Sequence, residues 1–215
     1  MTATATEASA PRLRADASRN RERIVNAARE ALVELGPDVP LDEIARRAGV
    51  GNATVYRNFA DRRELVHHVA CSVMRRVSEH ARAAMAEEAD AFQAVVRFTM
   101  AAAEEQISAL CPLVSEHADP DHPELAQAGA ELMALVTEVI TRAQQAGVFR
   151  TDVGVGDYLV AVTQLTRPLP GTGCLTAEGW SRRHLLLLLD GMRAPARSEL
   201  PGRPAAMEDL KRHKH

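Results

Sequence analysis

Aromatic residues are scarce in this chain, and valine-rich alternating runs are absent. Phe, Trp and Tyr together account for 3% of its 215 residues, whereas Ala and Leu are abundant. Strands are built mainly from β-branched and aromatic residues, while Ala and Leu have high helix propensity. The composition therefore predicts an all-α protein.

Long apolar segments are absent as well. No stretch reaches the run of about eighteen apolar residues that a membrane-spanning helix requires. The first residues also lack the apolar core of a signal peptide. We therefore expect a cytoplasmic protein that has no membrane partner.

Cysteines are few and widely spaced. Cys71, Cys111 and Cys174 are odd in number, and no C-x-x-C motif occurs. This pattern favours buried or free thiols over a redox or metal site. The sequence also contains no Gly-rich phosphate loop, no H-E-x-x-H pair and no Ser or Cys nucleophile motif. We expect no catalytic residues, no resident metal and no cofactor.

The net charge is small and unevenly distributed. The chain carries 26 Lys and Arg against 29 Asp and Glu, a formal net charge of −3. Residues 1–70 contain 11 Arg and 10 acidic residues, which leaves 15 basic and 19 acidic residues for 71–215. Because the total is not basic, a nucleic-acid site has to depend on the placement of charge on one face.

The most informative stretch begins at Leu41 and reads LDEIARRAGVGNATVYRNFADRRE. Its first apolar residues recur at helical spacing, and Gly49 follows where the chain must reverse. A short second helix is predicted over 52–58, with Val55 and Phe59 facing inward. A helix with so little apolar surface is stable only if its neighbours hold it. The stretch therefore predicts two short helices around a tight turn.

The other side chains of the second helix are polar or small. Amide and guanidinium groups suit base edges in a DNA groove, and hydroxyls suit phosphate oxygens. The residues offered to DNA are Asn52, Ala53, Thr54, Tyr56, Arg57 and Asn58.

The pattern consists of Ile44-Ala45, Ala48-Gly49-Val50, Thr54-Val55-Tyr56, Phe59 and Arg62-Arg63-Glu64-Leu65. In order and spacing it resembles the helix-turn-helix of the tetracycline-repressor (TetR-type) family, over about residues 19–70. The resemblance implies an N-terminal three-helix DNA-binding domain followed by a C-terminal helical domain for ligand binding and dimerisation. It also implies a homodimeric repressor that binds a palindromic double-stranded operator and releases it when a small-molecule effector binds.

The chain departs from the family pattern in three places. Pro40-Leu41 stands where the family usually has a Ser or Thr cap, and Gly51 stands where it usually has Ser. Pro and Gly are both tolerated at the start of a helix, so these departures affect stability more than role. Arg57 replaces a common second tyrosine, so the resemblance does not extend to the operator sequence.

Further arginines are candidates for phosphate contacts. Arg62 and Arg63 follow Asp61, which with Glu64 forms a variant capping box at the start of a fourth helix, where an anion is favoured. Three more, Arg19, Arg21 and Arg23, crowd the start of the first helix and are predicted to meet phosphate. Arg12 and Arg14 either extend a DNA-contacting arm or belong to a solvated tail.

The predicted organisation has four parts. Residues 1–17 form a disordered arm, 18–65 the DNA-binding domain, 66–195 the helical effector and dimerisation domain, and 196–215 a tail. The periodicity predicts helices over 18–35, from Asp61 toward Met85, from Asp90 onward, and over 124–146, 155–166 and 177–194.

Two sets of residues are candidates for the second domain. The candidates for an effector pocket, which the lack of ionisable pairs makes apolar, are Phe92, Val96, Met100, Ile107, Met133, Val136, Phe149, Leu165 and Trp180. The family places its dimer interface on the last two helices, which implies Tyr158, Leu159, Val162, Leu185, Leu188 and Leu189.

Two other functions stay open at this point. Residues 116–124 hold two His and four carboxylates, which suit a small metal-dependent helical enzyme, although their prolines favour a solvated acidic loop. His67 and His68 are neighbours on a helix and point about 100° apart, so they cannot chelate together. The third possibility is an adaptor that binds protein through its helical body.

Overall fold

The prediction of an all-α protein is confirmed in the computed structural model, which describes residues 9–36, 38–105, 122–167 and 177–210. For 9–17, 177–180 and 210 it describes the backbone only. The chain forms two compact units that divide between Ser72 and Val73. We call the described residues up to 72 the head, and those from 73 onward the body.

The head begins with a helix that is longer than predicted. Helix α1 spans Ser9–Leu35, so it starts nine residues before Ser18, and the prediction of a disordered arm is wrong for residues 9–17. Ala, Arg and Leu dominate this segment and favour helix, and Pro11 falls in the first turn, where proline is tolerated.

The other helices of the head are α2 (Leu41–Ala48), α3 (Asn52–Asn58) and the start of α4 (Arg62–Glu87). The bounds of α2 and α3 match the prediction because Gly49 and Phe59 end them sharply. α1 packs against α2, and the small residues between them allow close approach. The core of the head consists of Ile24, Ala27, Ala28, Ala31, Leu32, Val39, Ile44, Ala45, Ala48, Val55, Phe59, Leu65, Val66 and Val69.

The body contains the rest of α4 and the helices α5 (Ala91–Glu104), α6 (Pro123–Gln145), α7 (Val155–Thr166) and α8 (Ala177–Met192). Their bounds agree with the prediction to within two residues at each described end. Asp90 caps α5 by accepting hydrogen bonds from the N–H groups of Phe92 and Gln93. The core of the body includes Phe92, Val95, Phe98, Leu125, Leu132, Val136, Val139, Ile140, Phe149, Tyr158, Leu185, Leu189 and Met192.

Residues 196–210 of the predicted tail pack on the body, while 211–215 lie outside the described residues. We call residues 195–210, which end in the short helix α9 (Met207–Leu210), the C-terminal strap. The carbonyl of Ala205 accepts a hydrogen bond from the N–H of Gly156 at 2.9 Å, and the N–H of Ala205 donates one to Asp157 Oδ2 at 2.9 Å. These contacts are hydrogen bonds to a backbone N–H and a side-chain carboxylate, so a pattern of apolar residues does not predict them.

None of the described helices is both long and apolar enough to cross a membrane.

Candidate nucleic-acid interface

The turn between α2 and α3 depends on Gly49. Its φ of 63° and ψ of 38° lie in the left-handed region, which glycine enters without the penalty that a Cβ brings. The N–H of Val50 then donates to the carbonyl of Ala45 at 3.0 Å and closes the end of α2. This local geometry presents α3 on the surface of the head.

Helix α3 is divided into a buried and an exposed side. Val55 and Phe59 are 1% and 2% exposed, whereas Tyr56 is 56% exposed. Arg57 is exposed as well. The predicted inward and outward faces are thus confirmed, and the contact of the outward face with DNA stays a prediction.

Several of the polar side chains on α3 have partners within the head. Arg57 donates from Nε to the carbonyl of Ala53 at 3.1 Å and from Nη2 to Thr54 Oγ1 at 3.0 Å. Asn58 donates from Nδ2 to the carbonyl of Thr54 at 2.7 Å. Asn58 and Thr54 are half-buried. Ala53, Tyr56 and Arg57 are consequently the more accessible of the predicted set, together with Asn52.

Arg21 connects α1 to the end of α3, a role that the sequence did not predict. It donates from Nη1 to the carbonyl of Asn58 at 2.6 Å and from Nη2 to His68 Nε2 at 2.6 Å. Its guanidinium also lies 4.5 Å from the centre of the Phe59 ring. The prediction that Arg21 meets phosphate is therefore replaced by an internal role.

Arg23 has a similar role at the turn. Its Nη2 donates to the carbonyls of Ala48 at 2.5 Å and Gly49 at 3.1 Å, which are among the carbonyls left without a helical partner at the end of α2. The sequence suggests a phosphate ligand here because Arg23 lies near the start of a helix. It gives no sign of the carbonyl that Arg23 binds, since that carbonyl lies 25 residues away.

The start of α4 confirms the predicted capping box. The N–H of Glu64 donates to Asp61 Oδ1 at 2.8 Å, and Glu64 Oε2 accepts from the N–H of Ala60 at 2.7 Å. Arg62 is half-buried and donates from Nη2 to the carbonyl of Val39, so it braces the head. Of the predicted phosphate clamp, Arg63 is the residue that is exposed.

A charged cluster covers α2. Glu43 accepts from Arg46 at 2.7 and 2.8 Å and from Arg47 at 2.8 Å, and Arg47 also donates to Glu34 at 2.6 Å. The hydrogen bonds from Arg46 and Arg47 lower the pKa of Glu43 to about 2. The positive charge of this helix is therefore balanced by acidic neighbours.

The predicted dimer residues divide into two groups. The structure buries Tyr158, Leu185 and Leu189 in the core of the body at 1% exposure or less, and their assignment to a dimer interface stays a prediction. Leu159, Val162 and Leu188 are half-buried. Five consecutive leucines surround a helix, so spacing alone could not tell which of them faces the core. The exposed apolar residues on α7 and α8 are Val160, Leu186 and Leu187.

The pocket candidates are also divided. Phe92, Val136 and Phe149 belong to the buried core, where the rings of Phe92 and Phe149 lie 6.5 Å apart. Val96, Met100, Met133 and Leu165 are half-buried. Ile107 and the side chain of Trp180 lie outside the described residues.

The suggested metal loop is described only from His122. There the ring accepts a hydrogen bond at Nδ1 from the N–H of Glu124 at 3.3 Å and caps α6. Residues 116–121, Cys111 and Cys174 lie outside the described part of the chain. Cys71 is buried, and its Sγ lies 3.7 Å from His67 Nε2.

Comparison with known sequences gives two family matches. Residues 24–69 match the family described as Bacterial regulatory proteins, tetR family. Residues 50–194 match the family described as Transcriptional regulator SbtR-like, C-terminal domain, which covers most of the chain. A curated relative, an uncharacterized HTH-type transcriptional regulator TtgW from Pseudomonas putida, is 44% identical over 59 residues. Those residues make up 27% of this chain and span 44% of the length of that relative.

Solved structures extend the similarity to most of the chain. A TetR transcription regulatory protein from Mycobacterium vanbaalenii is 34% identical, with a TM-score of 0.62 over 84% of this chain and 99% of that one. A TetR transcriptional regulator from Streptomyces coelicolor is 26% identical, with a TM-score of 0.63 over 82% of this chain and 99% of that one. The chain therefore belongs to the tetR family of bacterial regulatory proteins, as a transcriptional regulator with an SbtR-like C-terminal domain.

Proposed function

We propose that this regulator binds a palindromic double-stranded DNA operator as a homodimer, inserting one α3 helix into the major groove at each half-site. The observation that carries the proposal is the division of α3, in which Val55 and Phe59 anchor one side in the head while Tyr56 and Arg57 face outward. A helix held in this way offers an aromatic hydroxyl beside a guanidinium, which are groups that suit contacts with base edges and phosphates.

The accessible residues have complementary roles in this proposal. Tyr56 provides a hydroxyl and an apolar ring, and Arg57 provides donors for guanine or phosphate once it swings away from the carbonyl of Ala53. Arg63 is placed at the start of α4 for a phosphate contact, where the helix N-terminus also favours an anion. Base and backbone contacts would thus come from adjacent parts of one head.

We further propose that the body carries the dimer contact. Val160 on α7 and Leu186 and Leu187 on α8 are 45%, 40% and 60% exposed. A patch of large apolar side chains on two helices is costly in water and is covered when a second copy packs on it. Leu159, Val162 and Leu188 on the same two helices are half-buried and are further candidates for this contact. A Leu187→Glu variant should lower the dimer fraction in light scattering.

The effector in this proposal is an apolar small molecule that binds in the body and relieves repression. The half-buried Val96, Met100, Met133 and Leu165 are the candidates for its contacts. Release follows if the ligand prefers a conformation in which the two α3 helices no longer match the operator spacing.

The test is operator selection from random double-stranded DNA, followed by affinity measurements on the selected site. Tyr56→Ala and Arg57→Ala should each weaken specific binding at least about tenfold, the order expected for a lost base contact. Arg197→Ala, which removes an exposed arginine from the C-terminal strap, is the matched control. Unchanged affinity of both head variants would reject the assignment of α3.

A further inference from the structure

Asp42 and Asn52 form a hydrogen bond across the helix-turn-helix. Nδ2 of Asn52, the first residue of α3, donates to Oδ1 of Asp42, in the first turn of α2, at 2.5 Å. Both side chains are exposed, so the pair lies on the surface of the head. The contact joins two helices that the turn at Gly49 brings together.

The chemistry of the pair fixes which way the Asn52 amide is turned. An ionised carboxylate only accepts hydrogen bonds, so the amide nitrogen must face Asp42. The reversed amide would place Asn52 Oδ1 against a carboxylate oxygen, and the two would repel. Asp42 also lies in the first turn of α2, where the helix N-terminus favours a negative charge.

This orientation leaves a defined hydrogen-bonding edge on Asn52. One amide hydrogen is used by Asp42, and a second hydrogen and the acceptor Oδ1 remain. In the major groove, adenine offers a matching pair, the N6 amino donor beside the N7 acceptor. Guanine presents two acceptors there, thymine one acceptor and a methyl group, and cytosine one donor. Of the four bases, adenine alone matches both remaining groups of the amide.

The position of Asn52 on α3 suits a base contact. Residues at the N-terminal end of a recognition helix are those that reach base edges. The backbone is fixed at this end, because the N–H of Thr54 donates to the carbonyl of Gly51 at 2.8 Å. The backbone at Asn52 is therefore fixed by the first turn of α3, and the side-chain amide of Asn52 is fixed by Asp42.

We propose that Asn52 reads an adenine in each half-site and that Asp42 is its positioning residue. This assignment rests on the proposed function, since it presumes that α3 enters the major groove. It adds the identity of one base and brings in Asp42, a residue outside the recognition helix.

The test is operator selection with the full-length protein and the variants Asn52→Ala, Asp42→Ala and Asp38→Ala. The wild type should select adenine at one position of each half-site. In Asn52→Ala the preference for adenine over the other bases at that position should fall at least about tenfold, and the preferences at all other positions should stay the same. Asp42→Ala should weaken the preference at that same position, because the amide can then reverse. Asp38→Ala removes a nearby exposed carboxylate and should leave every preference unchanged.

Each contrary result has its own meaning. If Asn52→Ala retains all base preferences, or alters a position that is not adenine, the assignment of Asn52 is overturned. If Asp42→Ala changes affinity equally for all sequences, Asp42 acts through its charge and its positioning role is overturned. If the wild type selects no motif at all, the proposed function itself fails, which distinguishes that failure from a failure of the adenine assignment.

Discussion

The guanidinium of Arg21 donates a hydrogen bond of 2.6 Å to the carbonyl of Asn58, the last residue of α3. The same group contacts the face of the Phe59 ring, and Phe59 ends the helix. A helix of seven residues cannot hold itself in water, so this cation from α1 supplies part of its stability.

Replacing Arg21 should loosen α3 specifically. Arg21→Ala removes a charge-assisted hydrogen bond to a backbone carbonyl, which is worth about 1.5–3 kcal/mol. We expect the backbone amides of α3 to exchange with solvent faster by a corresponding factor, measured by hydrogen exchange. Glu22→Ala, at the adjacent exposed position of α1, is the control and should leave α3 protection unchanged. Equal exchange in both variants would contradict the role of Arg21.

Gly49→Ala should destabilise the head. A residue with a Cβ held at a φ of 63° costs about 1–3 kcal/mol, and the added Cβ would lie 2.8 Å from Arg23 Nη2. Gly51→Ser is the matched control, because its φ of −74° is ordinary and open space surrounds it. Serine also caps a helix better than glycine, by a few tenths of a kcal/mol. The midpoint of urea unfolding should therefore fall for Gly49→Ala and rise slightly for Gly51→Ser.

The ion pairs of Glu43 should make stability depend on pH in the acid range. Hydrogen bonds from Arg46 and Arg47 lower the pKa of this carboxyl from 4.5 to about 2 in the folded state. A depressed folded pKa contributes stability that is complete above the unfolded value and is lost as the pH falls toward the folded one. The stability difference between wild type and Glu43→Gln should thus shrink between pH 4.5 and about 2. A difference that stays constant across this window in urea titrations would refute the pairing.

The buried pair of Thr99 and Tyr158 allows a double-mutant test in the body. Thr99 Oγ1 donates to the carbonyl of Val95 at 2.7 Å, so it accepts from the Tyr158 hydroxyl, also at 2.7 Å. Burial raises the pKa of Tyr158, which keeps this hydroxyl protonated as a donor.

Thr99→Val should cost more than Tyr158→Phe. The first leaves a buried hydroxyl without an acceptor, at about 1–3 kcal/mol, while the second removes a hydrogen bond worth about 0.5–1.5 kcal/mol. The double variant should be less destabilised than the sum of the two, as measured by thermal unfolding. Strict additivity would show that the hydroxyls do not interact.

The sequence predicted the helices better than the roles of the charged residues. The bounds of α2 and α3 can be predicted because Gly49 marks the end of α2, and the capping pair of Asp61 and Glu64 follows the end of α3 within a few residues. The start of α1 was missed because polar, Ala-rich sequence looks like a disordered tail as much as a helix. Periodicity finds a helix by the spacing of its apolar residues, and residues 9–17 carry no such periodicity.

Long-range polar contacts could not be predicted at all. Arg21 and Arg23 bind carbonyls that are 37 and 25 residues away, and any residue type provides a carbonyl. The C-terminal strap also binds Gly156 through a backbone carbonyl that is distant in the sequence, that of Ala205. In the leucine block, only the packed structure distinguishes Leu185 and Leu189, which are buried, from Leu187, which is exposed.

The arginines that bind oxygens within the head affect how strongly the affinity for a DNA duplex would depend on salt concentration. Arg21, Arg23, Arg47 and Arg62 direct their guanidinium groups at oxygens of their own chain. In the proposed complex, each of them would displace fewer condensed cations from the DNA than a solvated arginine would. Affinity would then decline only gently as salt rises, so discrimination among sites would owe more to shape and base chemistry than to bulk electrostatic attraction.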